Sequence, residues 1–293
     1  MLRVRRIIIN SILLLTLALA AFIPMPKAHA QKSSSPTSAR PFEPLEELHF
    51  EAEFSRALLR RLDVADLKFS ATRTPTESSS PASNQSDQNS YALTFKAEVT
   101  SKGFFARLFN LKFREVVESI VEPMSFTVKK TTIRDEQGKR VRTTESTFDS
   151  SKGKMTWTLR DPNNPASEPR HAITEFSGQL QDVLSAIYFI RTQPLEVGKS
   201  FEVFIGDGGR VYTIPVKVTE KKRMKTVLGR VDVLRVNAEL FGPQRLIDKE
   251  AGEFSIWLTD DKRHIPVGGR VKTDYGTFDI KLKRVITSTP AVK

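Results

Sequence analysis

The chain has 293 residues and a formal net charge of +12, from 46 lysines and arginines against 34 acidic residues. It contains no cysteine, which excludes disulfides, thiolate metal sites, thiol catalysis and a lipid-modified cysteine anchor. His49, His171 and His264 stand at no metal-ligand spacing and there is no Gly-x-Ser-x-Gly elbow, so no metal, cofactor or catalytic residue is predicted from local motifs.

Arg3, Arg5 and Arg6 precede an apolar run from Ile7 to Ile23, and Ala28-His29-Ala30 follows it. This is the pattern of a secretory signal peptide over 1–30, with an uncleaved anchor as the alternative. The expected location is periplasmic or secreted. Removing the four basic residues of the leader leaves a charge of about +8. Such an excess favours contact with an anionic membrane surface, lipopolysaccharide phosphates or acidic glycans, and nucleic acid is not an expected partner outside the cell.

Residues 31–44 are rich in Ser, Pro and Lys and read as a disordered lead-in to one β-rich domain over 45–286, with a short disordered tail at 287–293. Leu48, Phe50, Ala52 and Phe54 alternate with polar residues, the period of a strand with one buried face. A second strand follows over Val64–Phe69. Residues 72–90 hold no apolar side chain large enough to pack and read as a long polar hairpin loop. Tyr91 to Val99 alternates again. Phe104, Phe105 and Phe109 then suit a short helix or lip at the sheet edge, and Phe113 to Val121 reads as a further strand. From Phe126 to Leu159 the pattern is a meander, with turns at Asp135–Lys139 and Ser150–Lys154.

Leu180, Val183, Leu184, Ile187 and Ile190 fall at spacings of three and four, which predicts a buried helix from Leu180 to Arg191, stopped by Pro194. After it, Phe201 to Ile205 and Tyr212 to Val218 flank Gly206-Asp207-Gly208-Gly209. Strands on both sides make that turn a hairpin and not a phosphate loop. Lys221, Lys222, Arg223 and Lys225 read as a basic hairpin tip able to dock an anion. Val231 to Val236, Phe254 to Leu258 and Phe278 to Leu282 complete the sheet.

Asp260 and Asp261 are the best-placed acid pair. Adjacent strand residues point to opposite faces, however, and a turn-shaping role for them is favoured over catalysis. Trp157, Tyr188, Phe189 and Trp257 lie on elements expected to face inward, as core or as the lining of an apolar groove.

The segments Arg114–Val121, Asp182–Tyr188, Arg191–Pro194, Val197–Lys199 and Ile256–Val267 together resemble the bacterial exported family known as domain of unknown function 3108. The resemblance implies a mainly antiparallel β protein of the bacterial envelope and transfers no catalytic residue. The expected fold is a mainly β domain, an antiparallel curved sheet or partly closed barrel or sandwich wrapping one central helix. The expected role is that of an exported, non-catalytic protein binding an amphiphilic or polymeric envelope component, lipid, glycan or envelope protein. The alternatives are a structural or protein-interaction module and an envelope-polymer hydrolase using Asp260 or Asp261.

Overall fold

The computed structural model describes residues 45–57, 59–75, 91–102, 112–249 and 251–288. The expected leader, the lead-in, most of the polar loop and Phe104, Phe105 and Phe109 lie outside the described residues.

Among the described residues, fifteen strands form a single sheet. The first eight are β1 (Leu45–Arg56), β2 (Leu59–Pro75), β3 (Tyr91–Ser101), β4 (Phe113–Val121), β5 (Val128–Gln137), β6 (Arg140–Asp149), β7 (Lys154–Arg160) and β8 (Arg170–Glu175). A two-residue strand, β9 (Leu180–Gln181), leads into the helix α1 (Val183–Arg191). The chain then continues through β10 (Ser200–Asp207), β11 (Arg210–Thr226), β12 (Gly229–Ala238), β13 (Glu253–Thr259), β14 (Pro266–Thr273) and β15 (Gly276–Ser288).

The strand order runs from β8 down to β1, passes to β15 and runs down to β9. The first and last strands therefore pair at the middle, Leu45 opposite Ser288. Every pairing is antiparallel except β9 with β10, and that one parallel step is made through α1, as a parallel connection requires a crossover. The two ends of the sheet are consecutive in the chain, so the sheet curls until β8 approaches β10. It does not close. Across the seam the Thr174 hydroxyl donates to Gly209 O at 2.6 Å, and no ladder joins the two strands.

Two glycines permit this approach. A Cβ on Gly206 would sit 2.6 Å from Met155 Sδ, and one on Gly209, where φ is +78°, would sit 2.7 Å from the Ala172 Cβ.

Strand alternation sets the concave face. In β1, Glu46, Leu48, Phe50, Ala52 and Phe54 are buried while their neighbours are not. Three apolar clusters line the curl, and α1 contributes to two of them, through Leu184 and Tyr188 in one and Ala186 and Ile190 in the other.

The helix starts at Val183 and not at Leu180. Asp182 caps it: Asp182 Oδ1 accepts from Ser185 N at 2.8 Å, and the Ser185 hydroxyl accepts from Asp182 N at 3.0 Å. This reciprocal box satisfies two otherwise unpaired donors, and it leaves Leu180 and Gln181 extended beside Phe204 and Ile205. Thr192 closes the other end, its hydroxyl donating to Phe189 O at 2.7 Å.

Three further differences from the sequence reading concern strands. Thr72–Pro75 continue β2 by pairing with Tyr91–Thr94, because a polar strand needs only a paired neighbour. The stretch before the helix contains β8, an almost wholly exposed edge strand. Lys221, Lys222, Arg223 and Lys225 lie within β11, opposite Leu234, Val233, Asp232 and Arg230 of β12. The turn comes later, between Thr226 and Gly229, so these residues form a strand surface and not a tip.

Candidate functional site

The helix presents two kinds of side chain to the curled sheet. Leu184, Ala186, Tyr188 and Ile190 are buried, whereas Val183 and Ile187 are only half-buried. Between Val183, Leu184 and Ile187 on one side and Phe69, Ala97, Val99, Val117 and Ile133 of β2 to β5 on the other runs a narrow apolar cleft. Its remaining wall is made by Thr131, Ser146, Asp182, Gly206 and Asp207, the last two at the open seam. The enclosed space is about 30 Å³, the room of one water molecule.

Beyond the cleft's lining residues the inward face of β4 and β5 turns ionic. Glu115 and Asp135 are the next inward-facing positions along β4 and β5 from Val117 and Ile133, and they lie directly opposite each other in the ladder. Both are buried, at 2% and 3% exposure. Gln137 Nε2 donates to both Asp135 oxygens at 3.1 Å, and Arg140 Nη2 approaches at 3.6 Å. Burial pushes the Asp135 carboxyl up, against the pull of Gln137 and of the arginines at 140 and 142. Arg142 pairs with Asp135 across the β5–β6 ladder, and burial together with the Arg140 charge lowers its guanidinium. Apolar walls with a charged end match a molecule that has an apolar chain and a polar head.

The helix is fixed at both ends. At its start, the Thr131 hydroxyl donates to Asp182 Oδ2 at 2.5 Å, and Gln181 Nε2 donates to Phe126 O at 2.8 Å. At its end, Arg191 Nη1 meets Glu46 Oε1 of β1 at 2.5 Å, and both side chains are fully buried. Arg263 Nη2 binds the other Glu46 oxygen at 2.8 Å, and Arg191 Nη2 donates to the Arg263 carbonyl at 3.1 Å. This knot joins α1 to β1 and to the β13–β14 turn.

The four aromatics expected to line a groove fall in different places. Tyr188 is 1% exposed and stacks on Phe95, with ring centroids 3.9 Å apart and planes inclined by 7°. Burial and the Glu46 charge hold its phenol above the usual range. Phe189 is half-buried, 6.1 Å from the Phe126 ring. Trp157, on β7, packs at the seam against the Gly209 turn. Trp257 lies on β13 beside Lys222, whose Nζ is 5.2 Å from the ring centroid. None of the four is among the residues that line the cleft. The structure brings Tyr188 and Phe189 together only as helix neighbours, and it joins Trp257 to one member of the basic run.

Of the other basic residues, Lys221 Nζ is 2.5 Å from Asp260 Oδ2. Asp261 shapes the β13–β14 turn, since its Oδ1 accepts from the Thr259 hydroxyl and from the backbone N–H of Arg263 and His264. Among the described residues, no three acidic or histidine side chains are grouped to hold a metal ion.

Sequence reasoning missed Glu46, Glu115 and Asp135. The signal was available: each occupies the apolar phase of an alternating strand, where a charge must be buried with its partners.

The fold defines the class: a β-barrel-like protein whose described residues form one curled, open antiparallel sheet around the helix α1. Residues 76–283 match the family described as Protein of unknown function (DUF3108), and the chain belongs to that family. No curated protein matches it in sequence. In fold it is similar to the crystal structure of a beta-barrel-like protein of domain of unknown function DUF1849 from Brucella abortus. The two share 10% identity with a TM-score of 0.51, and the match covers 83% of this chain and 98% of the other. At that identity the likeness concerns the fold alone.

Proposed function

We propose that the protein is an exported, non-catalytic binding protein of the bacterial envelope. It takes the apolar chain of an amphiphilic envelope component into the cleft beneath α1. The observation that carries this reading is the half-burial of Val183 and Ile187: helix side chains that face an apolar wall across a narrow gap instead of packing into it. Widening the gap from the volume of one water to that of a chain takes rotamer changes of Val183 and Ile187 and an outward shift of the facing wall, between the two pinned ends of α1. The charged end at Glu115, Asp135 and Arg142 receives the head group, and the seam at Gly206 and Asp207 is the entry.

Ligand taken up only by the folded protein raises its melting temperature by mass action, by roughly 2.7 kcal/mol of stability at a hundredfold excess over Kd. Titration with single-chain amphiphiles of graded length, below their micelle concentration, is expected to raise the melting temperature with chain length. Ile187→Glu places a charge in the wall while leaving it access to water, and it abolishes that rise. A melting temperature equally indifferent to every chain in both proteins would sink the reading.

A further inference from the structure

Trp257 pairs with Arg235 on one side and with Gly268 on the other. Its neighbours along the strand, Ile256 and Leu258, join the apolar cluster that contains Ala186 and Ile190 of α1. Trp257 itself belongs to a different apolar cluster, with Val233 and Val267, and is not among the residues that line the cleft. Three cations converge on it. Lys222 Nζ lies 5.2 Å from the ring centroid, and the guanidinium carbons of Arg235 and Arg270 each lie at 5.8 Å, within the range of cation–π attraction. Carboxylates hold these cations in position: Glu220 is 3.2 Å from Lys222 and 3.9 Å from Arg235, and Asp279 is 2.7 Å from Arg270.

Those carboxylates leave two donors unanswered. Trp257 is 8% exposed, and its indole N–H meets no acceptor among the described residues. The Nε–H of Arg235, on the residue directly paired with it, is likewise buried without an acceptor. A third polar atom without a partner, Asn237 Oδ1, lies two residues along β12 on the same face. With its carboxamide turned over it would present an NH₂ group instead. A buried donor left unsatisfied costs about 1–3 kcal/mol, and here two are adjacent beneath three positive charges. A small oxyanion would satisfy both donors and match the local charge.

We propose that Trp257, Lys222, Arg235 and Arg270 form a binding site for a phosphate-type oxyanion, either free or carried on a lipid head group. The site shares no residue with the cleft and stands whether or not the cleft binds a chain.

Trp157 and Trp257 are the two tryptophans of the chain, so the nitrogen–proton spectrum of the full chain shows two indole signals, and Trp157→Phe assigns them. Inorganic phosphate, added against chloride at constant ionic strength, is expected to move the Trp257 signal saturably and leave that of Trp157 in place. Arg235→Gln weakens the response about tenfold or more. Trp257→Phe keeps an aromatic face for the cations, loses the N–H and lowers the phosphate affinity read by calorimetry, which provides a second test should Arg235→Gln unfold the sheet.

Sedimentation with phosphatidylglycerol and phosphatidylcholine vesicles distinguishes the sources. Binding to the anionic vesicles that free phosphate displaces assigns the site to head groups, and a phosphate response without vesicle binding assigns it to the free anion. A Trp257 signal that phosphate does not move, or moves equally in Arg235→Gln, overturns the proposal.

Discussion

Glu46→Ala is expected to destabilise the protein by about 3–5 kcal/mol, because it takes the carboxylate charge of Glu46 away from the fully buried guanidinium of Arg191. Glu46 is the common acceptor of two arginines from separate parts of the chain: Arg191 from the helix and Arg263 from the β13–β14 turn. Removing it leaves Arg263 able to turn to solvent, since its side chain is 32% exposed. Arg191 has no such escape.

The double variant Glu46→Leu with Arg191→Met removes both fully buried charges, and it should recover most of the loss, since apolar replacement of a buried pair is often near neutral. Denaturant unfolding of the single and double variants measures both. Because the pair is shielded from water, the loss should also be nearly independent of salt, unlike that of the exposed pairs elsewhere on the sheet. A single variant as stable as the parent would mean that the knot does not hold the helix.

The second large effect is expected one residue from a position of little consequence. Tyr188→Ala should cost about 3–5 kcal/mol, the range for deleting a large buried ring, because its ring lies flat against Phe95 with both residues almost fully buried. Ile187→Glu, on the half-exposed side of the same turn, should change stability little. Denaturant midpoints of the two variants give the comparison directly. If Tyr188→Ala were tolerated while Ile187→Glu unfolded the protein, the assignment of core and cleft faces to α1 would be reversed.

Most of the sheet is legible in the sequence because its strands keep one face apolar. Leu48 to Phe54, Tyr91 to Val99 and Tyr212 to Val218 all alternate, and all are strands. The antiparallel curved sheet around one helix follows from those runs and from the apolar spacing of 183 to 190. The family resemblance agrees with the match over 76–283.

What could not be read depends on distant contacts or on exposure. β8 offers no apolar phase, with Ile173 itself 69% exposed, so periodicity is silent there and only pairing with β7 makes it a strand. The start of α1 is set by a side-chain box at Asp182 and Ser185, which competes with the apolar pattern that extends back to Leu180. The basic run at 221–225 resembles a solvated turn, but its turn is the one that follows, at 227–228.

The candidate site was harder still. Its walls come from six strands and the helix, and apart from Phe69, Asp182 and Asp207 its residues are small or aliphatic, the types that in sequence announce core and nothing more. The aromatics, which sequence reasoning favours as ligand contacts, are used here to pack the helix down and to face the cation cluster. The charges in apolar phase, Glu46, Glu115 and Asp135, were the more informative signal. Each marks a place where the sheet interior is not simply hydrocarbon.

A chain held in the cleft beneath α1 would leave natively exported protein in an organic extract, where mass spectrometry identifies it. An amphiphile in near-stoichiometric amount is expected from the parent protein, with its loss from a folded Ile187→Glu variant. An extract with no amphiphile from well-folded parent protein, or one retained unchanged by Ile187→Glu, would contradict binding in the cleft.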